Sequence, residues 1–155
     1  MIKLRGFEVV KDSKRVNSGE IRLPKRASIH SAGYDFYMPR DVIVRANSTS
    51  DIIFLDVKAY MSTNEFLQIH IRSSLGIKKG ITLANGTGII DRDYYNNPDN
   101  DGNIGISFRN NTDKDIYLKR GDRVAQGIFC EYMVADTTGT NEHEERTGGF
   151  GSSGK

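Results

Sequence analysis

The chain has 155 residues, a formal net charge of +2 and a hydrophobic fraction of 37%. This length suits one domain with its own core, and the small net charge excludes a general attraction for nucleic acids or anionic membranes. The single cysteine, Cys130, excludes a disulfide framework and the paired-cysteine zinc site of the common base deaminases. Any anion site must therefore be local.

The N-terminal residues MIKLRGFEVV are interrupted by Lys3, Arg5 and Glu8, where a signal peptide needs an apolar run. No stretch approaches the roughly 18 apolar residues of a membrane span. We therefore predict a soluble, cytoplasmic protein that contacts neither membranes nor nucleic acids.

Alternation of apolar and polar residues dominates the middle of the chain. FLQIHIR (66–72) and NIGISF (103–108) place every second residue on one apolar face. Further runs are rich in β-branched and aromatic residues and recur at intervals of roughly ten residues: DVIVRA, DIIFLDVKAY, KDIYLKR and RVAQGIFCEY. This spacing predicts an all-β sandwich or barrel.

Two segments depart from this pattern. SSLGIKKG (73–80) lacks alternation and ends on Gly80, which predicts one short helix. From Val134 onward the apolar pattern gives way to small, polar and charged residues. We predict a β core over residues 1–133 and a flexible C-terminal arm over residues 134–155.

Two polar residues occupy runs that should be largely buried. In SAGYDFY, a small residue and a glycine let the backbone turn closely, and Asp35 follows Tyr34 at the start of a strand, where it fits a turn or a buried hydrogen-bonding role. In RGDRVAQGIF, Gln126 shares the alternation of Val124 and Ile128. Its amide therefore needs a partner, either in the core or on a ligand.

The segment IRSSLG joins the end of a predicted strand to the predicted helix. Arg72, Ser73 and Ser74 would aim a guanidinium, two hydroxyls and backbone N–H groups at one point, which suits phosphate. The same residues also fit a plain N-cap, with one serine capping the helix and Arg72 in solvent.

The segment ANGTGIIDRDYYNN has a hairpin-like layout around Asn85–Gly86, followed by Asp91 and Tyr94. An acid and an aromatic residue at the base of a loop are catalytic candidates. Asp91 and Asp93 fit turn positions as well, with Tyr94 and Tyr95 packed on a rim.

Taken in order, SAGYDFY, RSSLG, GIIDRDY, GDRVAQ and RTGGFGSSG resemble the five motifs of the trimeric deoxyuridine triphosphate pyrophosphatases, the dUTPases. They run from Ser31 to Gly154, and five ordered motifs are far more specific than any one of them. The resemblance implies a distorted jelly-roll or β-barrel subunit and a homotrimer with three sites at subunit interfaces. It implies hydrolysis of dUTP to dUMP and pyrophosphate with Mg²⁺, which lowers dUTP and supplies dUMP for thymidylate synthesis.

The resemblance also implies roles for individual residues. Asp91 matches the general base, supported by Asp35, and Tyr94 matches the ring under the deoxyribose. Arg146 matches the arginine that binds the γ-phosphate, and Phe150 matches the ring that stacks on uracil. The implied substrate-binding residues are Arg72, Ser73, Ser74, Asn85, Gly88, Ile89, Ile90, Tyr94, Gln126, Arg146, Phe150, Gly151, Ser152 and Ser153. No protein metal ligand is implied, because Mg²⁺ is held mainly by substrate phosphates and water.

Two departures from the family pattern accompany this match. A polar insertion, Tyr95–Asp101, stands where the family usually has one residue before a glycine, and we expect it to reshape the pocket rim. The spacing from Arg146 to Gly148 is one residue shorter than usual, which affects how Arg146 reaches a γ-phosphate.

Two alternatives from other classes remain at this point. The dCTP deaminases, including variants that also release pyrophosphate, resemble dUTPases in fold, trimer and the RSS stretch, but they carry a deaminating glutamate and lack the GGFGSSG arm. A binding role is the other alternative. Some viral dUTPases bind regulatory proteins, and the insertion would serve such a partner if the chain is viral.

Overall fold

The structure is a computed structural model that describes residues 2–136 and Gly148. This part of the chain is mostly β-structure, which confirms the all-β prediction, with one α-helix, α1 (Ser73–Lys79). Single 3-10 turns cover Asp12–Lys14 and Arg92–Tyr94. The strands are β1 (Gly6–Val9), β2 (Lys25–Arg26), β3 (Tyr34–Tyr37), β4 (Val42–Val44), β5 (Ile53–Phe54), β6 (Val57–Tyr60), β7 (Glu65–Ile71), β8 (Ile81–Leu83), β9 (Gly88–Asp91), β10 (Gly105–Ile106), β11 (Phe108–Asn110), β12 (Ile116–Leu118) and β13 (Arg123–Glu131).

The largest sheet has five antiparallel strands in the order β2-β3-β13-β7-β9. β13 lies in the middle, and its sequence RVAQGIFCE contributes Val124 and Ala125, both 0% exposed, to the core. Four two-stranded ladders, β1–β6, β4–β12, β5–β10 and β8–β11, complete the described strands. The long central strand thus places residues of β3 and β7 on either side of its own polar residue, Gln126.

The two strongest local predictions are confirmed. Most of FLQIHIR forms β7 after Glu65, with Leu67 and Ile69 buried and alternating with the half-buried Gln68 and His70. SSLGIKKG forms α1, and Gly80 ends it in the left-handed region with φ of 67°. Its N–H donates to the carbonyl of Leu75, which is the backbone conformation that favours glycine at a helix end.

Two predicted strands are each divided in the structure. DIIFLDVKAY forms β5 and β6, because Asp56 between them has φ of 58°, outside the range of a strand. NIGISF contributes to β10 and β11, which pair with β5 and β8 respectively. The change of partner occurs at Ser107, whose hydroxyl donates to the carbonyl of Ser50 at 2.8 Å.

The hairpin-like layout predicted around Asn85–Gly86 is wrong. β8 pairs with β11 and β9 pairs with β7, so the two consecutive strands belong to different sheets. The turn itself exists, since the N–H of Gly86 donates to the carbonyl of Leu83 at 3.0 Å. Residues 84–87, the β8–β9 loop, therefore carry the chain from one sheet to the edge of another.

Near the C-terminal end of the described part, β13 ends at Glu131, and Met133 and Val134 are exposed. The division into a core of residues 1–133 and an arm of residues 134–155 stays a prediction, because most of the arm lies outside the described residues. Within residues 2–136, no helix has the length and apolar content needed to cross a membrane.

Candidate active site

A cavity of about 600 Å³ opens beside β3, β13 and the start of α1. Five predicted site residues line it, although they come from three segments of the chain: Asp35, Arg72, Ser73, Ser74 and Gln126. The register of the large sheet explains the convergence, because Gln126 lies opposite Asp35 on one side and opposite His70, just before Arg72, on the other.

Asp35 is the carboxylate of this cavity, and its residue is only 6% exposed. Its Oδ1 lies 3.2 Å from Nε of Arg72, and its Oδ2 lies 3.3 Å from Nη1 of Arg123. A carboxylate buried to this extent needs such partners to offset the loss of water. Asp35 thereby fixes two guanidinium groups.

Three polar side chains of the cavity have no hydrogen-bond partner among the described residues: the hydroxyls of Ser73 and Ser74 and the amide of Gln126. The N-cap interpretation of the serines is wrong, because α1 begins after Arg72 with no side-chain capping hydrogen bond. Polar groups that the fold does not use remain available to a ligand.

Gly33 keeps the amide of Gln126 in the cavity. A Cβ atom at Gly33 would lie 2.5 Å from Oε1 of Gln126 and 3.1 Å from its Cβ. Atoms cannot pack this closely, so any larger residue would displace Gln126. The glycine of SAGYDFY is therefore required for space.

Sequence reasoning missed two cations of this region. Lys78 lines the cavity four residues after Ser74, on the same face of α1, so helical periodicity could have found it. Arg123 had no such signal, because its contact with Asp35 accompanies an irregular register between Arg123 and Ala125 on β13. The cavity is thus lined by two cationic side chains, Arg72 and Lys78, and one carboxylate, Asp35.

The remaining described candidates belong to the β8–β9 loop, to β9 at the edge of the large sheet and to the 3-10 turn that follows β9. β9 pairs with β7 so that Asp91 lies opposite Phe66. Arg72 follows Phe66 by six residues, which corresponds to roughly 20 Å along a strand. Asn85, Ile89 and Asp91 are exposed, and Gly88 and Ile90 are half-buried. One chain therefore does not bring Asp91 to the cavity.

Tyr94 is buried at the end of the 3-10 turn, with 4% exposure, so its interpretation as a rim residue is wrong. Its hydroxyl donates to the carbonyl of Asn103 at 2.7 Å and accepts from Nδ2 of Asn100 at 2.8 Å. Little of the ring is left to contact a ligand, and that part is held in a fixed position.

The insertion is a compact polar loop attached to the body of the protein. Asp101 accepts from the backbone N–H of Lys11 at 2.8 Å and from Nζ of Lys58 at 2.9 Å. Lys58 also donates to Oδ1 of Asn96 at 2.6 Å and lies 4.9 Å from the ring centroid of Tyr95. Burial raises the pKa of Asp101, but the contacts with Lys11 and Lys58 outweigh it and hold that pKa below its ordinary value.

Comparison with known proteins identifies the family. A family model for dUTPase matches residues 19–154. The chain belongs to the dUTPase family. It is 48% identical over 153 residues to the deoxyuridine 5'-triphosphate nucleotidohydrolase of Lactococcus lactis subsp. lactis (strain IL1403), with 99% of each chain covered. These matches favour the dUTPase family over the dCTP deaminase alternative.

Solved structures of this family agree with the fold. A dUTPase from Streptococcus mutans superposes with a TM-score of 0.76 at 40% sequence identity, covering 85% of this chain and 99% of that chain. This likeness confirms the jelly-roll-like subunit. A mutant dUTPase from phage phi11 of S. aureus, reported with a structural Mg(II) ion, shares the fold with a TM-score of 0.68 at 18% identity, covering 92% and 99% of the two chains.

The five motifs of the dUTPase family fall into three places in this chain. The first, second and fourth converge on the cavity, and the third runs along β7 from Gly88, opposite Ile69, to Asp91, opposite Phe66. The candidates of the fifth motif, Arg146, Phe150 and Gly151–Ser153, lie outside the described residues. Over residues 2–136 and Gly148, no three His, Cys, Asp or Glu side chains are grouped in a way that could hold a metal ion.

Proposed function

We propose that the protein hydrolyses dUTP to dUMP and pyrophosphate, with the triphosphate bound in the cavity between β3, β13 and α1. The observation that carries this proposal is the convergence of Arg72, Ser73, Ser74 and Gln126 on one cavity, with two hydroxyls and one amide unused by the described fold. A triphosphate needs such a concentrated set of donors.

Arg72 is oriented for this role by its contact with Asp35. The contact uses Nε, so both terminal nitrogens of the guanidinium remain to donate to phosphate oxygens. Lys78 adds a second positive charge on the same side of the cavity. Asp35 thus acts on the phosphates through Arg72 rather than by touching them.

Asp91 is the proposed general base. It would accept a proton from a water molecule whose oxygen attacks the α-phosphorus. The bond between the α-phosphorus and the oxygen that bridges to the β-phosphate then breaks, and pyrophosphate leaves. The exposed position of Asp91 on β9 leaves its carboxylate accessible for a site formed with another copy of the chain.

The proposed site is shared between subunits of a homotrimer. The α-phosphorus is one bridging oxygen away from the β-phosphate, so the base and the phosphate-binding groups must meet within a few ångströms. In one chain Asp91 and Arg72 lie at opposite ends of β7, roughly 20 Å apart. A second copy must supply Asp91, and we propose that the arm of a further copy supplies Arg146, Phe150 and Gly151–Ser153.

Base and sugar selection are proposed to lie in the segment from Asn85 to Tyr94. The backbone of Gly88–Ile90 and the side chain of Asn85 would form pairing-like hydrogen bonds with uracil. Cytosine could not form them, because its donors and acceptors are reversed. Phe150 would stack on the other face of the base. The ring of Tyr94 would leave no room for a 2′-hydroxyl.

Magnesium fits this site as a companion of the substrate. Both oxygens of Asp35 already face guanidinium groups, and the other polar side chains at the cavity are cationic or neutral. The ligands of Mg²⁺ would then be phosphate oxygens and water. When bound, it would neutralise part of the triphosphate charge.

Product analysis tests the activity. The protein and Mg²⁺ are incubated separately with dUTP, dCTP, dTTP and UTP, and the products are identified. We expect dUMP and pyrophosphate from dUTP, with the other nucleotides much poorer substrates. Release of ammonia, or equal turnover of dUTP and dCTP, would contradict the proposal.

Mixed trimers test the shared site. Asp91→Asn and Arg72→Ala should each lower kcat/KM by about 10² to 10⁴. Equal co-expression of the two variants should restore about a quarter of the wild-type sites, because one in four interfaces then combines an intact Arg72 with an intact Asp91. The trimer should have a mass of about 52 kDa, three times 17.3 kDa.

The matched control co-expresses the Arg72→Ala variant with an Asp35→Asn variant. Both of these residues lie in the same cavity of one chain. No cavity in those mixed trimers contains both intact residues, so co-expression should restore nothing. A fully active monomer in light scattering, or no recovery in the first mixture, would refute the shared site.

A further inference from the structure

The hydroxyl of Tyr94 makes two hydrogen bonds that lie between the insertion and the start of β10. It donates to the carbonyl of Asn103 and accepts from Nδ2 of Asn100. Asn100 belongs to the insertion, which the dUTPase motifs do not contain. The insertion therefore contacts the side chain that our proposed function places against the sugar.

The orientation of the Asn100 amide is fixed by its own neighbours. Nδ2 of Asn97 and the backbone N–H of Gly102 both donate to Oδ1 of Asn100, at 2.8 and 3.1 Å. Because two donors face Oδ1, the NH₂ group must point the other way, toward Tyr94. Nδ2 of Asn97 also donates to the carbonyl of Tyr94 at 2.8 Å. The insertion thus holds Tyr94 at both its backbone and its hydroxyl.

The opposite partner of the hydroxyl is equally fixed. Asn103 is 1% exposed, and its side chain forms a reciprocal pair with Asp56: Oδ1 accepts the N–H of Asp56 and Nδ2 donates to Oδ1 of Asp56, both at 2.9 Å. Asp56 is fully buried and also accepts the backbone N–H groups of Val16 and Asn17. The Asn103 carbonyl, which accepts the hydrogen bond from the Tyr94 hydroxyl, therefore cannot shift without breaking this network.

We propose that Asn100 is a positioning residue for sugar selectivity, acting through the hydroxyl of Tyr94. The inference rests on the proposed function, in which Tyr94 lies under the deoxyribose. A deoxynucleotide and a ribonucleotide differ at this position by one oxygen atom. Discrimination between dUTP and UTP therefore depends on a ring that does not move aside to make room for that atom. With the Asn100 donor removed, the hydroxyl loses its hydrogen bond to the insertion and the ring gains room to move.

Selectivity is the measurement that a merely structural role would not change. Asn100→Ala should lower the ratio of kcat/KM for dUTP to kcat/KM for UTP by about fivefold, the scale of one neutral hydrogen bond, mainly through better use of UTP. Asn100→Asp is the second variant, because it keeps an acceptor for Asn97 and Gly102 and replaces the donor that faces Tyr94 with a charged acceptor. Asp99→Asn is the matched control in the same loop, and its ratio should equal that of the wild type.

A double-mutant cycle with Tyr94→Phe tests the route of the effect. Tyr94→Phe should itself lower the ratio, and adding Asn100→Ala should then change nothing further. If Asn100→Ala lowers the ratio equally in the Tyr94→Phe background, Asn100 does not act through the hydroxyl and the inference is overturned.

Tyr94→Ala separates this inference from the proposed function. If Tyr94→Ala abolishes selectivity while Asn100→Ala and Asn100→Asp leave it at the wild-type value, Tyr94 keeps its role and the positioning role of Asn100 fails. If Tyr94→Ala leaves selectivity intact, the proposed contact of Tyr94 with the sugar fails, and this inference fails with it.

Discussion

The cavity and the insertion are both rich in polar side chains, yet they use them in opposite ways. In the cavity, the hydroxyls of Ser73 and Ser74 and the amide of Gln126 have no partner in the described part of the chain. In the insertion, the amides of Asn97 and Asn100 bond to each other and to neighbouring groups. Polar composition therefore does not separate a binding site from a structural loop, whereas the state of its hydrogen bonds does.

This difference has an energetic consequence. Polar groups that face an open cavity are hydrogen-bonded to water when no ligand is present, so a substitution that removes one of them costs little stability. Buried polar groups that are paired within the fold leave an unsatisfied partner when one of them is removed. We therefore expect changes in the cavity to alter activity more than stability, and changes in the insertion to do the reverse.

The largest expected effect on stability lies in the buried pair of Lys58 and Asp101. Asp101→Asn removes the carboxylate that contacts the buried ammonium of Lys58 directly. Asn96, the ring of Tyr95 and the carboxylate of Glu8, opposite Lys58 in the β1–β6 ladder, then remain near it. We expect a loss of about 3 kcal/mol in the free energy of unfolding. The value of kcat should stay within about twofold of the wild type when the assay is run well below the melting temperature.

The sign of the pH dependence sharpens this test. The pKa of Asp101 is lowered in the folded state, so the stability that its charge contributes is present above the unfolded value of 3.8 and is lost as the pH falls below it. Acid should therefore destabilise the wild type more than Asp101→Asn. Asp99→Asn, a change at an exposed position of the same loop, is the control and should stay within about 0.5 kcal/mol of the wild type. A fall in kcat as large as the fall in stability would break the comparison.

Arg123, next to the cavity, should show the reverse behaviour, with a smaller change in stability and a larger change in KM. Its side chain is about half exposed, so Arg123→Met should cost only about 1 kcal/mol of stability. Asp35 would then have Arg72 as its single cationic partner and would compete with the triphosphate for that guanidinium. We expect KM for dUTP to rise about tenfold with kcat nearly unchanged.

Arg123→Lys is the matched variant for this prediction, because it keeps the charge and loses the planar guanidinium. It should recover part of the lost affinity in steady-state kinetics. If Arg123→Met lowers kcat and leaves KM at the wild-type value, Arg123 does not act by sharing Asp35 with Arg72.

The same comparison shows how far the sequence could predict the molecule. Alternation identified β7, and the break in alternation identified α1, because each pattern is a local property of the chain. Alternation does not choose the partner strand, which is why β8 and β9 look like a hairpin in the sequence yet pair with β11 and β7. Motif resemblance selected the five cavity residues, and the structure shows that they lie together.

Other features had no local signal. The contact of Arg123 with Asp35 joins residues 88 positions apart in the chain, and the pair of Lys58 and Asp101 spans 43 positions. The run NNPDND reads as a solvent-exposed loop by composition, because Asn, Asp and Pro favour turns. Only the placement of Lys58, Lys11 and Asn103 around it turns part of that run into buried structure.

The smallest expected effect concerns Tyr95, at the beginning of the insertion. Its hydroxyl donates to Oε2 of Glu8 at 2.6 Å, and burial together with this contact raises the pKa of Tyr95 to about 12. A raised folded pKa means that the stability from the neutral phenol is present below the unfolded value of 10.0 and is lost as the pH rises toward 12.

Tyr95→Phe should cost about 1 kcal/mol at neutral pH, the scale of one hydrogen bond, and should lose less stability than the wild type above pH 10. Chemical unfolding at several alkaline pH values measures this, and an ultraviolet titration of the tyrosines should lose a step near pH 12. Tyr117→Phe, at a residue that is 61% exposed, is the control and should keep that step. If Tyr95→Phe declines with pH as steeply as the wild type, the phenol of Tyr95 is not a group that links the insertion to Glu8. The attachment of the insertion would then rest on its contacts with Lys11, Lys58 and Tyr94.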